Sequence, residues 1–184
     1  MLKPEQLQQL ESFFSGIEKR AYQIVFFALH NETESLDIVQ DAMLKLIDKY
    51  ASKPQQEWAA LFHTILQNRI MDYHRKEQIK KQFFFWRKKN NQGDSEHDEL
   101  YDQTPDVENK TPEQSFAIEQ LGTRAIKILK TMPVRQQQAF LLRAWEGYDT
   151  GETADIMGCS TGSVKTHFSR ARKRLQQALG ERYE

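Results

Sequence analysis

The chain has 184 residues, zero formal net charge and a single cysteine, Cys159. That length suffices for one or two small domains with cores of their own. One cysteine excludes a disulfide framework and favours a reducing compartment. The first residues are polar and the apolar run at 24–29 is too short to cross a bilayer. We therefore expect a cytoplasmic protein without membrane insertion.

Helical periodicity predicts three helices in the first fifty residues. The first begins near Pro4, a residue that the first turn of a helix tolerates, and an apolar helix follows over 21–29. Asn31, with Glu34 three residues later, resembles a capping box before a helix over about 35–50. The apolar side of that helix is expected to carry Leu36, Val39, Met43, Leu46, Ile47 and Tyr50.

A polar loop at 51–57 separates these helices from a long one, predicted from Trp58 to about Gln82. On this helix Asn68, Asp72 and Arg75 share one polar stripe, because they are spaced by four and three residues. A stripe of this kind is either plain solvated surface or a binding face.

The composition changes abruptly after this helix. Residues 75–89 include seven basic residues and one acidic residue, and they contain the aromatic run at 83–86. Residues 94–108 include seven acidic residues and no basic one. The basic aromatic segment suits a nucleic-acid face or an apolar patch that packs on something else. The acidic block, with glycine and proline around it, predicts a flexible linker over 90–112.

A helix is predicted to resume near Glu113, with Thr111 as its cap and Pro112 at its first position. Three further helices follow near the C-terminus. Gly147 follows the first of them, where a helix end favours positive φ. Thr150 and Ser160 are expected to cap the second and third, and Gly158 permits a tight turn between those two. Apolar faces are expected at Ala139, Phe140, Leu141, Leu142, Ala144 and Trp145 in the first helix, and at Ala154, Ile156 and Met157 in the second.

The last helix combines a buried stripe with a basic face. Its apolar residues, at helical spacing, are Val164, Phe168, Ala171 and Leu175. The opposite face carries Lys165, Thr166, Ser169, Arg170, Lys173 and Arg174, and residues 163–174 include five basic residues and no acidic one. A solvated surface helix could share this composition, but Ala154 and Gly158 are small where two helices must nearly touch. Together these features predict a helix-turn-helix that binds DNA, with Cys159 as a packing residue in its turn.

The segment 133–175 resembles region 4.2 of the sigma-70 family, and more narrowly the extracytoplasmic-function (ECF) group of bacterial transcription initiation factors. Regulators of the two-component type share part of this motif, so the N-terminal half must decide. The N-terminal half resembles region 2 of the ECF group in two motifs. The first consists of Asp37, Val39, Gln40, Asp41, Ala42 and Met43, and the second of Ile65, Asn68, Asp72 and Arg75. Many members have a tryptophan where this chain has Leu61, and here Trp58 lies one turn earlier.

The resemblance covers about residues 10–80 and 113–180, and it implies an all-α fold of two small helical domains. A region 2-like bundle would span 1–89, and a region 4-like helix-turn-helix domain would span 113–184. The flexible acidic linker, 90–112, would join them and cross the polymerase cleft.

The same resemblance implies a protein that binds core RNA polymerase, through its clamp helices and flap, and recognises promoter DNA. The residues that would contact the polymerase are Asp37, Gln40, Asp41, Leu44 and Lys45. The residues that would recognise and melt the −10 element are Ser52, Lys53, Asn68, Arg69, Asp72, Arg75 and Lys76. The −35 element would be read by Ser163, Lys165, Thr166, Ser169, Arg170, Lys173 and Arg174. The family also implies an anti-sigma factor as a further partner.

Two other classes of protein remain open. A free-standing helix-turn-helix regulator would use the N-terminal half as a sensor or for dimerisation, and would need a ligand pocket or a phosphoacceptor there. An enzyme acting on nucleic acid would need clustered acids or histidines. The five histidines are scattered through the sequence and none has metal-ligand spacing. We therefore expect no catalytic residue, no metal and no cofactor.

Overall fold

The computed structural model describes residues 4–90 and 113–180, which contain helices and short connections and no strand. The N-terminal half consists of three helices, α1 (Pro4–Leu29), α2 (Glu32–Tyr50) and α3 (Gln55–Asn90). The C-terminal half consists of α4 (Glu113–Thr131), α5 (Val134–Phe140), α6 (Thr150–Met157) and α7 (Thr161–Leu179). A π-helical turn, Leu141–Trp145, continues α5 without a break. The all-α prediction is confirmed for this part of the chain.

The long helices differ from the predicted boundaries. The two helices expected before residue 30 form one continuous helix, α1, because an isolated Gly16 costs a helix only about 1 kcal/mol. His30, with φ 56°, ends α1 in the left-handed region and donates its backbone N–H to the carbonyl of Phe26 at 2.9 Å. Helix α3 begins at Gln55 and continues to Asn90, eight residues beyond the predicted end at Gln82.

Two of the three N-caps predicted within the described residues are confirmed. The side chain of Asn31 accepts the backbone N–H of Glu34 at 3.0 Å, and Ser160 caps α7 in the same way. The prediction that Thr150 caps α6 is wrong, because Asp149 is the cap. Its carboxylate accepts the N–H of Glu152 at 2.8 Å, and Glu152 accepts the N–H of Asp149 in return. A carboxylate suits the positive end of the helix dipole better than a hydroxyl does.

The core of the N-terminal half lies where α1, α2 and α3 meet. Trp58 is 2% exposed and its indole N–H donates to the carbonyl of Tyr50, the last residue of α2, at 3.2 Å. The ring of Phe13 meets both Trp58 and Phe62 edge-on. Trp58 therefore fills the core of this bundle. Other buried members of the core are Ala21, Ile24, Val25, Val39, Ala42, Leu46, Ile65, Leu66 and Ile70.

Leu36 was predicted on the buried side of α2, and this is wrong. Its side chain is 44% exposed, whereas Val39 is 3% exposed. Leu36 lies about 60° around the helix from Val39, at the border of the apolar stripe.

The helix-turn-helix has a small core of its own, made by Ala139, Leu142, Ala154, Ile156, Met157 and Val164. Gly147 and Gly158 both have positive φ, 80° and 60°, as predicted. Ala144 and Trp145 were predicted on the apolar face, and both are exposed. They lie in the π-helical turn, which holds an extra residue and rotates those that follow out of the 3.6-residue phase.

The two halves pack against each other. Gln137 of α5 is buried, and its side-chain amide donates to the carbonyl of Phe27 in α1 and to that of Leu129 in α4, each at 2.8 Å. Both carbonyls belong to the last turn of a helix, where the regular helical donors are missing. The carbonyl of Leu129 also accepts the backbone N–H of Met132 at 3.2 Å. One glutamine thus satisfies two helix ends from different halves of the chain.

A second set of contacts surrounds Glu146, whose carboxylate lies 3.4 Å from Nε2 of the fully buried His63 and 3.8 Å from Nη1 of Arg20. The ring of Tyr148 meets His63 edge-on at 5.5 Å between ring centroids. The interface between the halves therefore combines these polar contacts with an apolar part, in which Leu129, Met132 and Leu141 join the core cluster of the N-terminal bundle.

The linker predicted over 90–112 lies outside the described residues, except for Asn90 at the end of α3. The predicted helix start at Thr111 and Pro112 lies outside them as well. In the part of the chain that is described, no helix combines the length and apolar character needed to cross a membrane.

Candidate nucleic-acid interface

Helix α7 presents its basic face to solvent, while Val164, Ala171 and Leu175 are buried and Phe168 is half-buried. The exposed residues of this face are Lys165, Thr166, Ser169, Arg170, Lys173 and Arg174. Ser163 is half-buried, and its hydroxyl lies 2.9 Å from that of the N-cap Ser160. The hydroxyl of Thr166 donates to the carbonyl of Gly162 at 3.0 Å. The face thus offers cations in its second half and small polar groups in its first, as DNA readout requires.

Two arginines that the sequence did not single out hold the helix-turn-helix together. Arg135 donates to the carbonyl of Met157, the last residue of α6, at 2.8 Å. Arg143 donates to the hydroxyl of Thr150 at 2.9 Å and lies over the ring of Phe168, 5.4 Å from its centroid. A cation at the C-terminal end of α6 favours the helix dipole. No local spacing marks these residues, because their partners are reached only in the fold.

His167 lies beside the basic face. Burial lowers its pKa below 6.5, and the charges of Arg135 and Arg170 lower it further. The lowered pKa favours the neutral imidazole at pH 7, so His167 adds little charge to the surface.

The polar stripe of α3 is brought to the surface as one face. Asn68, Arg75 and Lys76 are exposed and Asp72 is half-buried. Arg75 donates to Asp72 at 3.0 Å, so these two side chains already form a pair. Ser52 and Lys53, in the loop before α3, are exposed, and Lys53 lies 3.8 Å from Glu57.

The outer face of α2 is acidic with one apolar residue. Asp37, Gln40 and Asp41 are exposed, and Leu44 is 64% exposed among them. Lys45 is half-buried at the edge of this face.

Arg69 connects the two faces, because its guanidinium lies 3.3 Å from the carboxylate of Asp41. The family resemblance implies polymerase docking for Asp41 and a DNA contact for Arg69. The structure brings these side chains together as an ion pair between α2 and α3.

A groove of about 900 Å³ lies between α4 and α7. Its apolar lining includes Leu129, Phe140, Leu175 and Leu179, and Arg172 and Lys173 also line it. Leu175 belongs to the side of α7 that faces away from the exposed basic residues. Lys173 lies at the border between this groove and the basic face.

Within residues 4–90 and 113–180, no three histidine, cysteine, aspartate or glutamate side chains come together as a metal site. Cys159 is free and half-buried in the turn of the helix-turn-helix.

These features define an all-helical protein with a C-terminal helix-turn-helix for DNA binding. The model of sigma-70 region 2 matches residues 13–79, and the model of sigma-70 region 4 matches residues 123–175. The two models describe different regions of one family and together cover most of the chain. The chain belongs to the sigma-70 family and, within it, to the ECF group.

Two relatives illustrate the similarity. The RNA polymerase sigma-E factor of Streptomyces coelicolor is 40% identical over 65 residues, which are 34% of this chain and 37% of the relative. The ECF RNA polymerase sigma factor SigM of Mycobacterium tuberculosis is 37% identical over 54 residues, 29% of this chain and 28% of the relative. The matched segments thus span less than half the length of these relatives.

A solved structure has the same fold over nearly the whole chain. It is the sigma factor RpoE from Bartonella quintana, in a co-crystal with the anti-sigma factor NepR. The TM-score is 0.64 at 23% identity, and the match covers 94% of this chain and 98% of that one. The alternative of a free-standing regulator is not favoured, because both regions match the sigma-70 family. The members of this family are transcription initiation factors and not enzymes.

Proposed function

We propose that this chain is a transcription initiation factor that binds core RNA polymerase, directs it to promoters through their −10 and −35 elements, and melts the DNA. One observation carries the proposal: a region 2 bundle with an exposed polar α3 stripe and a helix-turn-helix with an exposed basic α7 occur together in one chain of the sigma-70 family. The factor works in the cytoplasm, where polymerase and promoters are found.

In this proposal the acidic face of α2 docks on the clamp helices of the polymerase. Asp37, Gln40 and Asp41 set specificity, since charged contacts at the rim of an interface govern partner choice more than affinity. Leu44 supplies the apolar anchor, and Lys45 lies at the margin. The groove between α4 and α7 takes the second polymerase contact, the flap.

The α3 stripe and the adjacent loop act on the −10 element. Asn68 is placed to contact base edges, and Arg69, Arg75 and Lys76 are placed to contact phosphates. Asp72 orients Arg75 through their ion pair. Ser52 and Lys53 contact a base that leaves the duplex, a step that costs a few kcal/mol before new contacts offset it.

The −35 element lies against α7. Lys165, Thr166 and Ser169 face base edges, and Arg170, Lys173 and Arg174 bind phosphates. Ser163 orients the start of the helix through its contact with Ser160. The functional domains are 1–89 and 113–184, with the linker 90–112 between them, and an anti-sigma factor is a further partner, as for the RpoE structure.

The test is co-elution of the purified chain with bacterial core RNA polymerase on a sizing column, followed by run-off transcription from a promoter library. We expect co-elution and transcripts that start at promoters with shared −10 and −35 sequences. The Arg170→Ala variant should co-elute but lose −35-dependent transcription, since Arg170 contacts only DNA. Tight DNA binding by the chain alone, without co-elution, would refute the proposal.

A further inference from the structure

The last turns of α3 expose an apolar surface that the proposed function leaves unused. Ile79 is 59% exposed, Phe83 62%, Phe84 71% and Trp86 64%. From Arg75 onward α3 has left the bundle: the described side chains up to Trp86 are exposed except for half-buried Glu77. Large aromatic side chains in water are costly to a protein unless a partner covers them.

Helix geometry places part of this surface in line with the −10 stripe. At about 100° per residue, the residues Asn68, Asp72, Arg75, Ile79, Phe83 and Trp86 all fall within about 80° of one another on α3. This continuous face runs ~27 Å along the helix, at about 1.5 Å per residue. Phe84 is different, because it lies at least about 100° around the helix from every member.

The composition of the face indicates its occupant. Phe83 and Trp86 stand side by side, with ring centroids 6.5 Å apart. Arg75 and Lys76 begin the segment 75–89, which has seven basic residues and one acidic one. Cations beside exposed aromatic rings suit a single strand of nucleic acid, because phosphates bind the cations and unpaired bases stack on the rings. A paired duplex offers no free base face for stacking.

We propose that Phe83 and Trp86 form a stacking platform for unpaired bases of the promoter strand that the −10 stripe holds. The inference rests on the proposed function, which it extends by about three turns of α3. The platform is independent of base identity, since every base has a face that can stack. Its role is to prolong the melted state.

The experiment uses the complete chain bound to core polymerase, on a promoter with a pre-melted bubble at its −10 element. The readout is the lifetime of the complex after addition of a competitor. The variant carrying Phe83→Ala and Trp86→Ala should shorten the lifetime about fivefold to a hundredfold, the range for loss of a base–aromatic stack. Phe84→Ala is the matched control and should change it less than about twofold. The single variant Trp86→Phe keeps an aromatic ring at this position and should retain most of the lifetime of the unmodified chain.

The outcomes separate this inference from the proposed function. Equal lifetimes for the double variant and Phe84→Ala would overturn the platform while leaving the initiation factor intact. Loss of co-elution with polymerase in the double variant would also overturn it, because the surface would then be a protein contact. If the unmodified chain does not bind polymerase at all, the proposed function fails. In that case the platform is tested by the affinity of the chain for a single-stranded oligonucleotide. The double variant must bind it more weakly than Phe84→Ala and Trp86→Phe do.

Discussion

The side-chain amide of Gln137 donates a hydrogen bond to the backbone carbonyl of Phe27, 110 residues away in the chain, at 2.8 Å. The second N–H of the same amide serves Leu129. This glutamine therefore connects the N-terminal bundle to the helix-turn-helix half at two helix ends. The arrangement of the halves depends on a buried polar group, and its contribution can be measured.

Replacing Gln137 by leucine should lower the free energy of unfolding by about 1–3 kcal/mol. Leucine fills a similar volume but leaves the carbonyl of Phe27 without a donor, and a buried unsatisfied group costs about 1–3 kcal/mol. The carbonyl of Leu129 keeps the backbone N–H of Met132 at 3.2 Å. Urea unfolding of the full chain measures the change.

The matched control is Gln138→Leu. Gln138 is 1% exposed, and neither its oxygen nor its nitrogen has a hydrogen-bond partner among the described residues. Removing this amide relieves a buried polar group, so we expect a loss below about 1 kcal/mol or a gain. Equal losses for the two variants would show that the bonds of Gln137 contribute nothing specific.

The helix-turn-helix could be predicted from the sequence because its signals are local. The stripe of Val164, Ala171 and Leu175 repeats at helical spacing, and Ser160 and Gly158 are local cap and turn residues. These features depend on neighbours within a few positions, and the structure confirms them.

The rest of the architecture could not be predicted, because the partners are distant in sequence. Gln137 and Glu146 look like ordinary polar residues until the fold places them between the halves. The exposure of Trp145 follows from a π-helical turn that no periodic pattern announces. Likewise, no local pattern predicts the ion pair of Asp41 with Arg69, because the two residues lie on different helices.

Glu146→Ala should destabilise the chain by about 1–3 kcal/mol at pH 7. Its side chain is 7% exposed, and its carboxylate lies 3.4 Å from Nε2 of the fully buried His63. Removing the carboxylate leaves that buried polar group without its neighbour, which costs about 1–3 kcal/mol. Arg20→Ala is the control, because that pair is long and Arg20 is exposed, so less than about 1 kcal/mol is expected. Urea unfolding again measures both changes.

The same residue gives a prediction for pH. Burial raises the pKa of Glu146, but the hydrogen bond and charge of His63 and the charge of Arg20 outweigh it, and the pKa lies below 4.5. A carboxylate with a lowered pKa in the folded state stabilises fully above about pH 4.5, and this stabilisation is lost as the pH falls through the folded pKa. The loss caused by Glu146→Ala should therefore shrink in strong acid. A loss that is constant with pH would contradict the ionic origin.

His30 and His74 should make the folded chain sensitive to mild acid. Burial lowers the pKa of both below 6.5. The charge of Lys130 lowers the pKa of His30 further. For His74, a hydrogen bond with the backbone of Ala28 raises the pKa, but burial together with the charges of His30 and Lys81 outweighs it. The unfolded chain binds more protons just below pH 6.5, so stability is complete above that pH and falls as the pH drops.

The measurement is urea unfolding between pH 7.5 and 5.5, comparing the natural chain with His30→Asn. Asparagine tolerates the left-handed backbone that His30 adopts, at φ 56°, and does not titrate. The variant should lose less stability than the natural chain on acidification. An unchanged pH dependence would show that His30 does not contribute to it.

The ion pair of Asp41 and Arg69 separates a docking role from a structural one. Asp41→Lys should reduce co-elution with polymerase for two reasons. The acidic face of α2 loses a negative charge, and the lysine puts a like charge beside Arg69, where the Asp41 carboxylate now lies 3.3 Å from the guanidinium. The swap of both residues, Asp41→Arg with Arg69→Asp, keeps the pair between α2 and α3 but reverses the charge on the docking face. If Asp41 contacts the polymerase, the double variant co-elutes as poorly as the single variant. Its free energy of unfolding nevertheless returns to within about 0.5 kcal/mol of the natural value, as expected of an exposed pair. Recovery of co-elution by the swap would instead assign Asp41 to holding α2 against α3, and would remove it from the docking face.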